Sequence, residues 1–217
     1  MTEKEHIIVL HGIFRTSASM RKLSRFLDEQ GYVAHNVGYP STQYTIQELT
    51  EQVYHQIKTI TDSPSHKVSI VGYSMGCMIA RGLMTHYRPE NMGKVVMLGP
   101  PNKGSEVADF LKNVWLYQKL YGPAGQQLGT DQSSIRDFLG NVDYDLGVIA
   151  GNVSWDPLSS FIIAGADDGK VSVESTKLSG MKDHIILPVT HTFMMDNQKV
   201  LHQVVHFLQH GVFNHSS

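Results

Sequence analysis

Residues 72–76 read Gly-Tyr-Ser-Met-Gly, so a glycine lies two positions from Ser74 on each side. The preceding run, Val-Ser-Ile-Val at residues 68–71, is mostly apolar and β-branched, and residues 75–87 have the composition of a helix. A sharp turn from a strand into a helix needs small residues around the serine, because the backbone is crowded and strained there. The pattern predicts that Ser74 is a nucleophile raised at a helix N-terminus. The same five residues are also compatible with an inert serine on a glycine-rich turn.

A serine hydroxyl attacks a carbonyl group only when a histidine accepts its proton and a carboxylate orients that histidine. Of the twelve histidines, His191 is the favoured base, because it follows a predicted strand in the loop before the last helix. His184 precedes the same strand and should therefore lie at the opposite end of the sheet. His11 belongs to a separate motif after the first strand. The order Ser74, acid, His191 then requires a carboxylate between residues 74 and 191.

The segment Gly-Ala-Asp-Asp-Gly-Lys-Val supplies that carboxylate. Asp168 is favoured, because the following Gly169 lets the loop turn the side chain towards His191. Asp167 is the main alternative, and Asp156 is a weaker one. A calcium loop is a poor interpretation of this segment, because the alternating oxygen ligands and the terminal glutamate are missing.

Acyl transfer also needs hydrogen-bond donors at the oxygen that becomes negatively charged, and loss of one donor costs roughly 100- to 1,000-fold in rate. The backbone N–H of Met75 is predicted to be one donor, because it follows the nucleophile at a helix N-terminus. The second should come from the loop after the first strand, where Gly12 permits close approach. The N–H of Ile13 is favoured over that of Phe14 for this role, while His-Gly could also be a simple turn at a strand end.

The remaining reactive side chains suggest structural roles. Histidines at positions 202, 206 and 210 recur at helical spacing, but no carboxylate pattern of a metalloprotease accompanies them. We interpret them as a solvated helix face and expect neither a metal nor a cofactor. Cys77, the only cysteine, lies one turn after Ser74 and is expected to pack in the core.

Alternating strands and helices should position these residues. Strands are predicted at 7–10, 32–37, 67–71, 95–98, 147–150 and 185–189, and helices at 19–30, 46–60, 75–87 and 196–210. Thr45 and Glu48 form a predicted capping box for the second helix. Such alternation indicates a mostly parallel sheet covered by helices on both faces. Sites form at the carboxyl ends of parallel strands, where Gly12, Ser74 and Asp168 all fall.

Residues 104–141 exceed the length that one crossover helix needs. An apolar stretch covers residues 107–121, and Gly-Pro-Ala-Gly at 122–125 then breaks it. The segment is predicted to be an ordinary sheet-covering helix or, alternatively, a small cap or a wall of an acyl pocket. The chain as a whole, 1–217, is expected to be a single domain.

Composition limits the class of partner. The chain has 217 residues, 18 Lys and Arg, and 20 Asp and Glu, which gives a net charge of −2 and no basic patch for nucleic acid. No run of apolar residues is long enough for a transmembrane helix. The N-terminal residues lack the features of a signal peptide, which predicts a cytoplasmic location. The oligomeric state is not predicted.

Five segments resemble the α/β-hydrolase superfamily, and more narrowly its compact bacterial lipase-like and esterase-like members. They are VLHGIF, GYSMG, GPPNKGSEVADFL, DDGKVSVEST and THTFMM, and they extend over nearly the whole chain. The third and fourth are similar to the Pro-Pro-Asn-x-Gly-Ser and Asp-Gly-x-Val-x-x-x-Ser segments of lipase-like members. The resemblance implies an α/β-hydrolase fold with at most a small cap, and hydrolysis of carboxylic esters through an acyl-enzyme without a cofactor.

The sequence therefore favours a serine hydrolase that acts on a small-molecule acyl ester through Ser74, His191 and Asp168. A thioesterase, an amidase or an acyltransferase would use the same residues, and the sequence does not separate them. A catalytically silent binding module on the same fold is a further alternative.

Overall fold

The computed structural model describes residues 4–63, 65–111, 115–131, 133, 135–155, 162–163 and 165–216, with residues 111 and 115–120 as backbone alone. Asp156, the weaker alternative for the acid, lies outside these residues.

A parallel sheet forms the centre of the described structure. Its strands are β1 (His6–Leu10), β2 (Val33–Val37), β3 (Val68–Tyr73), β4 (Met92–Leu98), β5 (Leu146–Gly151) and β6 (Asp183–Leu187). They are ordered β2-β1-β3-β4-β5-β6, and every pairing among the described strands is parallel. The sequence-based prediction of a parallel sheet is confirmed.

Helices cover both faces because successive side chains of a strand point to opposite faces. Ile8 and Leu10 pack in a core that also contains residues of α2 (Ile46–Thr61) and α3 (Met75–His86). Ile7 and Val9 pack in a second core with residues of α1 (Arg21–Glu29) and of the last helix, Gln198–His210. The predicted capping box of α2 is present, since Thr45 Oγ1 accepts from Glu48 N–H and Glu48 accepts from Thr45 N–H.

Further helices follow β4 and β5. They are α4 (Glu106–Leu111), α5 (Trp115–Gln126), α6 (Arg136–Leu139) and α7 (Val173–Thr176), and the last helix is α8 (Gln198–His210). The predicted break at 122–125 occurs inside α5, where Gly122 has φ 60°. A Cβ atom at Gly122 would lie 1.7 Å from the carbonyl oxygen of Thr42, so this approach of two backbones requires glycine.

Several predicted boundaries were wrong by two or three residues. Among the strands, β4 begins at Met92 and not at residue 95, and β6 spans Asp183–Leu187 and not 185–189. The last helix begins at Gln198, because Asn197 is extended and its side chain accepts from Lys199 and Val200 N–H as the N-cap. Residues His191–Asp196 form a 3-10 helix where a loop was predicted. A second 3-10 helix, Ser17–Met20, precedes α1, which begins at Arg21 and not at residue 19.

The direction in which successive strands are added to the sheet reverses after β2. From β1 the chain moves outwards to β2, returns across β1 to β3, and then continues towards β6. A crevice opens beyond the carboxyl ends of the strands at such a switch point. The loops after β1 and β3, which carry Gly12 and Ser74, lie on its two sides.

Candidate active site

The turn at Ser74 has the strained geometry that the sequence predicts. Ser74 has φ 53° and ψ −121°, in a region that side-chain-bearing residues rarely adopt. Its N–H donates to the carbonyl of Leu98 on the neighbouring strand at 2.8 Å. Added Cβ atoms would lie 2.9 Å from the Gly76 carbonyl oxygen at Gly72, and 2.6 Å from the carbonyl oxygens of Leu10 and His11 at Gly76. The two glycines are therefore required by contact between backbones.

Gly76→Ala should destabilise the protein by about 1–3 kcal/mol or more, because the carbonyls of Leu10, at the end of β1, and of the following His11 cannot yield without disturbing the sheet. Gly38→Ala is the matched control, since its Cβ would meet only Ser17 side-chain atoms at 3.6 Å and 3.8 Å. The control should be neutral or stabilising by up to about 1 kcal/mol. Urea unfolding of both variants measures the difference, and equal midpoints would contradict the contact argument.

Ser74, His191 and Asp168 are brought together in one chain of hydrogen bonds. His191 Nδ1 lies 2.7 Å from Asp168 Oδ2, and His191 Nε2 lies 3.0 Å from Ser74 Oγ. Because the carboxylate can only accept, Nδ1 carries the proton and Nε2 accepts from the serine hydroxyl. The Asp168 side chain is 1 % exposed and that of His191 is 10 % exposed. This chain of groups can draw a proton from Ser74 Oγ.

The loop around Asp168 fixes which oxygen faces the histidine. Asp168 Oδ1 accepts from the backbone N–H groups of Lys170 and Val171 at 3.0 Å and 2.9 Å, which leaves Oδ2 for His191. The N–H of His191 also donates to the backbone carbonyl of Asp168 at 2.9 Å. Asp167, the main alternative, instead accepts from Gly169 N–H at 2.7 Å. The two adjacent carboxylates thus face different partners.

Two residues that support His191 were not singled out from the sequence. Tyr73 donates its hydroxyl hydrogen to the His191 carbonyl at 2.9 Å, and burial raises the pKa of this tyrosine. Gly99, at the end of β4, has φ 53°, and a Cβ atom there would lie 3.0 Å from His191 Nδ1 and 3.2 Å from Asp168 Oδ2. Gly99 therefore leaves room for the imidazole–carboxylate pair. The only sequence signal was its place at a strand end.

His11 anchors the loop that follows β1. The ring of His11 is fully buried and stacks on Tyr39, with ring centroids 3.9 Å apart. Its Nε2 accepts from Tyr39 N–H at 3.3 Å, so Nδ1 carries the proton and donates to the Gly12 carbonyl at 2.9 Å. Burial lowers the pKa of His11, against the opposing effect of the bond to Gly12. A neutral imidazole thus fixes the first peptide of the loop.

The two predicted oxyanion donors lie at the same edge of the sheet. The N–H of Met75 belongs to the first turn of α3, where backbone donors have no acceptor within the helix. Ile13 lines the cavity beside Ser74, and Phe14 follows with φ 57°. Within the residues that the structure describes, neither the Ile13 nor the Met75 amide donates to a protein acceptor.

A cavity of about 260 Å³ opens over Ser74 and His191. Its volume is close to the lower end for ligand sites, roughly 300 Å³. One wall is apolar and comes from the segment 104–141: Val107, Ala108, Tyr121 and Leu128. The Phe14 and Tyr121 rings meet edge to face with centroids 4.4 Å apart, which joins this wall to the loop after β1.

Two of the motifs noted in the sequence support each other in space. Asn102 Nδ2 donates to the carbonyl of Thr176 at 2.8 Å, and Ser105 Oγ donates to that of Lys170 at 2.9 Å. Glu106 Oε1 accepts from the hydroxyls of Ser172 and Ser175. The segment after β4 thereby anchors the loop that carries Asp168.

The other reactive side chains lie apart from this chain of hydrogen bonds. His184 is at the amino end of β6, as predicted, beside Thr176 Oγ1 at 2.9 Å. His202 and His210 are exposed on α8, and His206 is half-buried with Nδ1 donating to the Val212 carbonyl. Cys77, in the first turn of α3, is fully buried in the core, and burial raises its pKa. No helix in the described part of the chain is long and apolar enough to cross a membrane.

Known structures share this architecture. The mature form of Bacillus licheniformis lipase BlEst2 matches 94 % of this chain and 92 % of its own, with a TM-score of 0.76 and 21 % identity. Phospholipase PlaB from Legionella pneumophila matches 97 % of this chain and 60 % of its own, with a TM-score of 0.73 and 16 % identity. The predicted α/β-hydrolase fold, and the resemblance to lipases and esterases of that superfamily, are confirmed.

Comparison with known sequences identifies the family as well as the fold. The lysosomal thioesterase PPT2 of Mus musculus is 27 % identical over 134 residues, which cover 56 % of this chain and 44 % of the relative. The chain therefore spans about half the length of the curated relatives it matches. The match to palmitoyl protein thioesterase covers residues 6–139, from β1 through the nucleophile turn to the end of α6. The chain belongs to the palmitoyl protein thioesterase family.

Proposed function

We propose that this protein is a serine hydrolase that cleaves acyl esters through an acyl-enzyme on Ser74. The observation that carries the proposal is the hydrogen-bonded chain from Ser74 Oγ through His191 to Asp168, 3.0 Å and 2.7 Å long in its two steps. Its open end faces the cavity.

The reaction starts when His191 Nε2 accepts the Ser74 proton and Oγ attacks the acyl carbonyl carbon. The carbonyl π electrons move to oxygen, and the N–H groups of Ile13 and Met75 stabilise the resulting oxyanion. Asp168 stabilises the imidazolium. Collapse of the intermediate breaks the bond to the leaving group, which takes the proton from His191. Water then gives a proton to His191 and attacks the acyl-enzyme carbonyl carbon. Collapse of this second intermediate breaks the bond to Ser74 Oγ, which takes the proton from His191, and releases the carboxylic acid.

The segment 104–141 serves in this proposal as a wall for the acyl chain. Five of its described residues line the cavity: Val107, Ala108 and Leu128 are apolar, Tyr121 is apolar apart from its hydroxyl, and Ser105 is polar. An acyl chain packed there is removed from water, which is worth about 0.8 kcal/mol for each buried methylene group. The wall would therefore hold the acyl part of the substrate.

Thioester hydrolysis is a second candidate, because the family match is to palmitoyl protein thioesterase. The same steps apply with sulfur as the leaving atom. An oxygen ester and a thioester of one acyl chain, measured as kcat/KM on the same preparation, separate the two functions.

A fluorophosphonate probe tests the proposed function directly. The folded protein should be labelled at Ser74, found by mass spectrometry, because the probe's phosphorus is attacked by an activated serine. Heat-unfolded protein is the control and should not react. Absence of labelling on Ser74 in the folded protein would overturn the proposal.

A further inference from the structure

Three half-buried histidines meet at the amino end of the sheet, at the opposite end of the strands from Ser74. His6 begins β1, His35 lies in β2, and His66 precedes β3. The rings of His6 and His66 stack with centroids 4.1 Å apart, and the centroids of His6 and His35 lie 5.0 Å apart. His6 pairs with Val33, and His35 lies two residues later, so both side chains point to one face of the sheet. We call these three residues the histidine cluster.

One hydrogen bond limits how many protons the cluster can hold. His35 Nε2 lies 3.0 Å from His6 Nδ1. One of these nitrogens must donate and the other must accept, so at least one of the two rings is neutral. A second proton on the pair would replace the acceptor by another donor and would place two positive charges in contact. The pair therefore holds at most one proton while the bond persists.

His66 extends this limit to the third ring. Its Nδ1 is buried and has no hydrogen-bond partner among the residues that the structure describes. A protonated imidazole has an N–H group at each nitrogen, so the cation would bury one donor without an acceptor. Burial lowers the pKa of His35, the charge of Asp28 opposes this effect, and the charge of His66 adds to it. Each ring that becomes charged thus disfavours charge on its neighbour.

The segments that adjoin the cluster carry charged side chains of both signs: Glu5 before β1, Asp28 in α1, Lys58 and Asp62 at the end of α2, and Lys67 before β3.

These charges offset only part of the repulsion. Glu5 is engaged by Lys67 Nζ at 3.0 Å and by the Ser69 hydroxyl. Asp28 accepts from Ala34 N–H at 2.9 Å and favours one imidazolium at His35. In the described part of the chain, neither charged side chain at the end of α2 forms an ion pair with His35 or His66. The surroundings therefore suit one proton on the cluster and not two or three.

We propose that His6, His35 and His66 form a proton-sensitive latch, which holds β2 and the start of β3 against β1 at neutral pH and releases them when the cluster binds a second proton. β2 is the strand that depends most on this latch, because it ends the described sheet and is bonded to β1 alone. The latch acts on the stability of the sheet and is independent of the proposed hydrolysis.

The sign of the pH dependence follows from the number of protons bound. Histidines of the unfolded chain have an ordinary pKa of about 6.5, so below that pH the unfolded chain holds more protons than the folded cluster accepts. Stability is therefore fully present above about pH 6.5 and is lost as the pH falls below it. Exclusion of two protons would raise the unfolding equilibrium constant by up to about 100-fold for each pH unit.

An NMR titration of the imidazole signals in folded wild-type protein tests the latch without any substitution. No more than one ring of the cluster should gain a proton before the protein unfolds. Exposed His210 is the internal reference and should titrate at its ordinary pKa. Amide hydrogen exchange, corrected for the intrinsic effect of pH, should show that β2 opens before β4 as the pH falls.

Urea unfolding of variants measures the contribution of the cluster to stability. Between about pH 7.5 and 5.5, the unfolding equilibrium constant of His35→Gln should rise roughly tenfold less than that of the wild type, because one excluded proton is lost. His66→Gln is a second variant with the same expectation. His210→Gln is the matched control and should keep the wild-type dependence. His11 and His184, whose pKa values burial also lowers, are present in every protein compared and cancel.

Two results would overturn the latch. One is protonation of all three rings in the folded protein at or above the ordinary histidine pKa. The other is a pH dependence of unfolding that is the same in His35→Gln, His66→Gln and the wild type. Both measurements are made without substrate, so either result leaves the proposed hydrolysis untouched.

Discussion

Ser74→Ala is expected to lower kcat for ester hydrolysis by roughly 10⁵- to 10⁶-fold, the scale seen when a serine hydrolase loses its nucleophile. The residue contributes the atom that forms the acyl-enzyme. No other described hydroxyl is hydrogen-bonded to His191 Nε2. What remains should be the modest rate that binding and the oxyanion donors give to attack by water.

Ser74→Ala should change the free energy of unfolding only slightly. Ser74 Oγ makes its described hydrogen bond to His191 alone, and alanine keeps the Cβ atom that the turn already accommodates. The strained φ of 53° is shared by both residues. The variant should therefore unfold at nearly the same urea concentration as the wild type, and relief of strain has no part in the loss of activity.

Ser24→Ala is the control for this experiment. Ser24 is also buried, but it lies on α1 and donates to the Met20 carbonyl at 3.0 Å. Its removal should leave kcat unchanged. Ser74→Ala with more than about one tenth of wild-type kcat, in protein free of wild-type contamination, would contradict the role of Ser74 as nucleophile.

The nucleophile turn could be predicted because its cause is local. Gly72 and Gly76 are small for a reason that lies within a few residues and one neighbouring strand. The order of strands and helices could also be predicted, because short apolar runs alternate along the chain with segments whose apolar residues have helical spacing. The capping box at Thr45 and Glu48 is a similar case, in which two residues three apart determine where a helix begins.

The contacts around the imidazole could not be predicted because they join distant parts of the chain. Gly99 and His191 are 92 positions apart, and nothing near Gly99 reveals that an imidazole will lie against it. Tyr73 reaches the His191 carbonyl across a similar separation. Phe14, next to the predicted oxyanion donor Ile13, has a positive φ, a conformation that an aromatic residue rarely adopts. These contacts and this conformation are visible only in the folded structure.

The sequence did not decide between the neighbouring Asp167 and Asp168 as the residue that orients His191. Substitution of each by asparagine tests which of the two has this role. Asp168→Asn should lower kcat/KM by about 10⁴-fold, as expected for loss of the carboxylate that holds the correct histidine tautomer. Asp167→Asn should change it by less than about tenfold, because an asparagine oxygen can still accept from Gly169 N–H.

The size of the first effect follows from the donors around Asp168. The N–H groups of Lys170 and Val171 both point at Oδ1 and require an acceptor there. In Asp168→Asn the amide oxygen must occupy that position, so the NH₂ group faces His191 Nδ1 at the place of Oδ2. Two donors cannot pair, and the ring must place its proton on Nε2. That tautomer has no lone pair for the Ser74 proton.

Initial-rate kinetics on one neutral ester, together with urea unfolding of both variants, measures the comparison. Both variants should remain folded, because asparagine has nearly the shape of aspartate. The assignment of Asp168 would be wrong if Asp167→Asn had the larger effect, or if the two losses were equal. A large loss confined to Asp168→Asn would place the imidazolium's counter-charge on the carboxylate 2.7 Å from Nδ1.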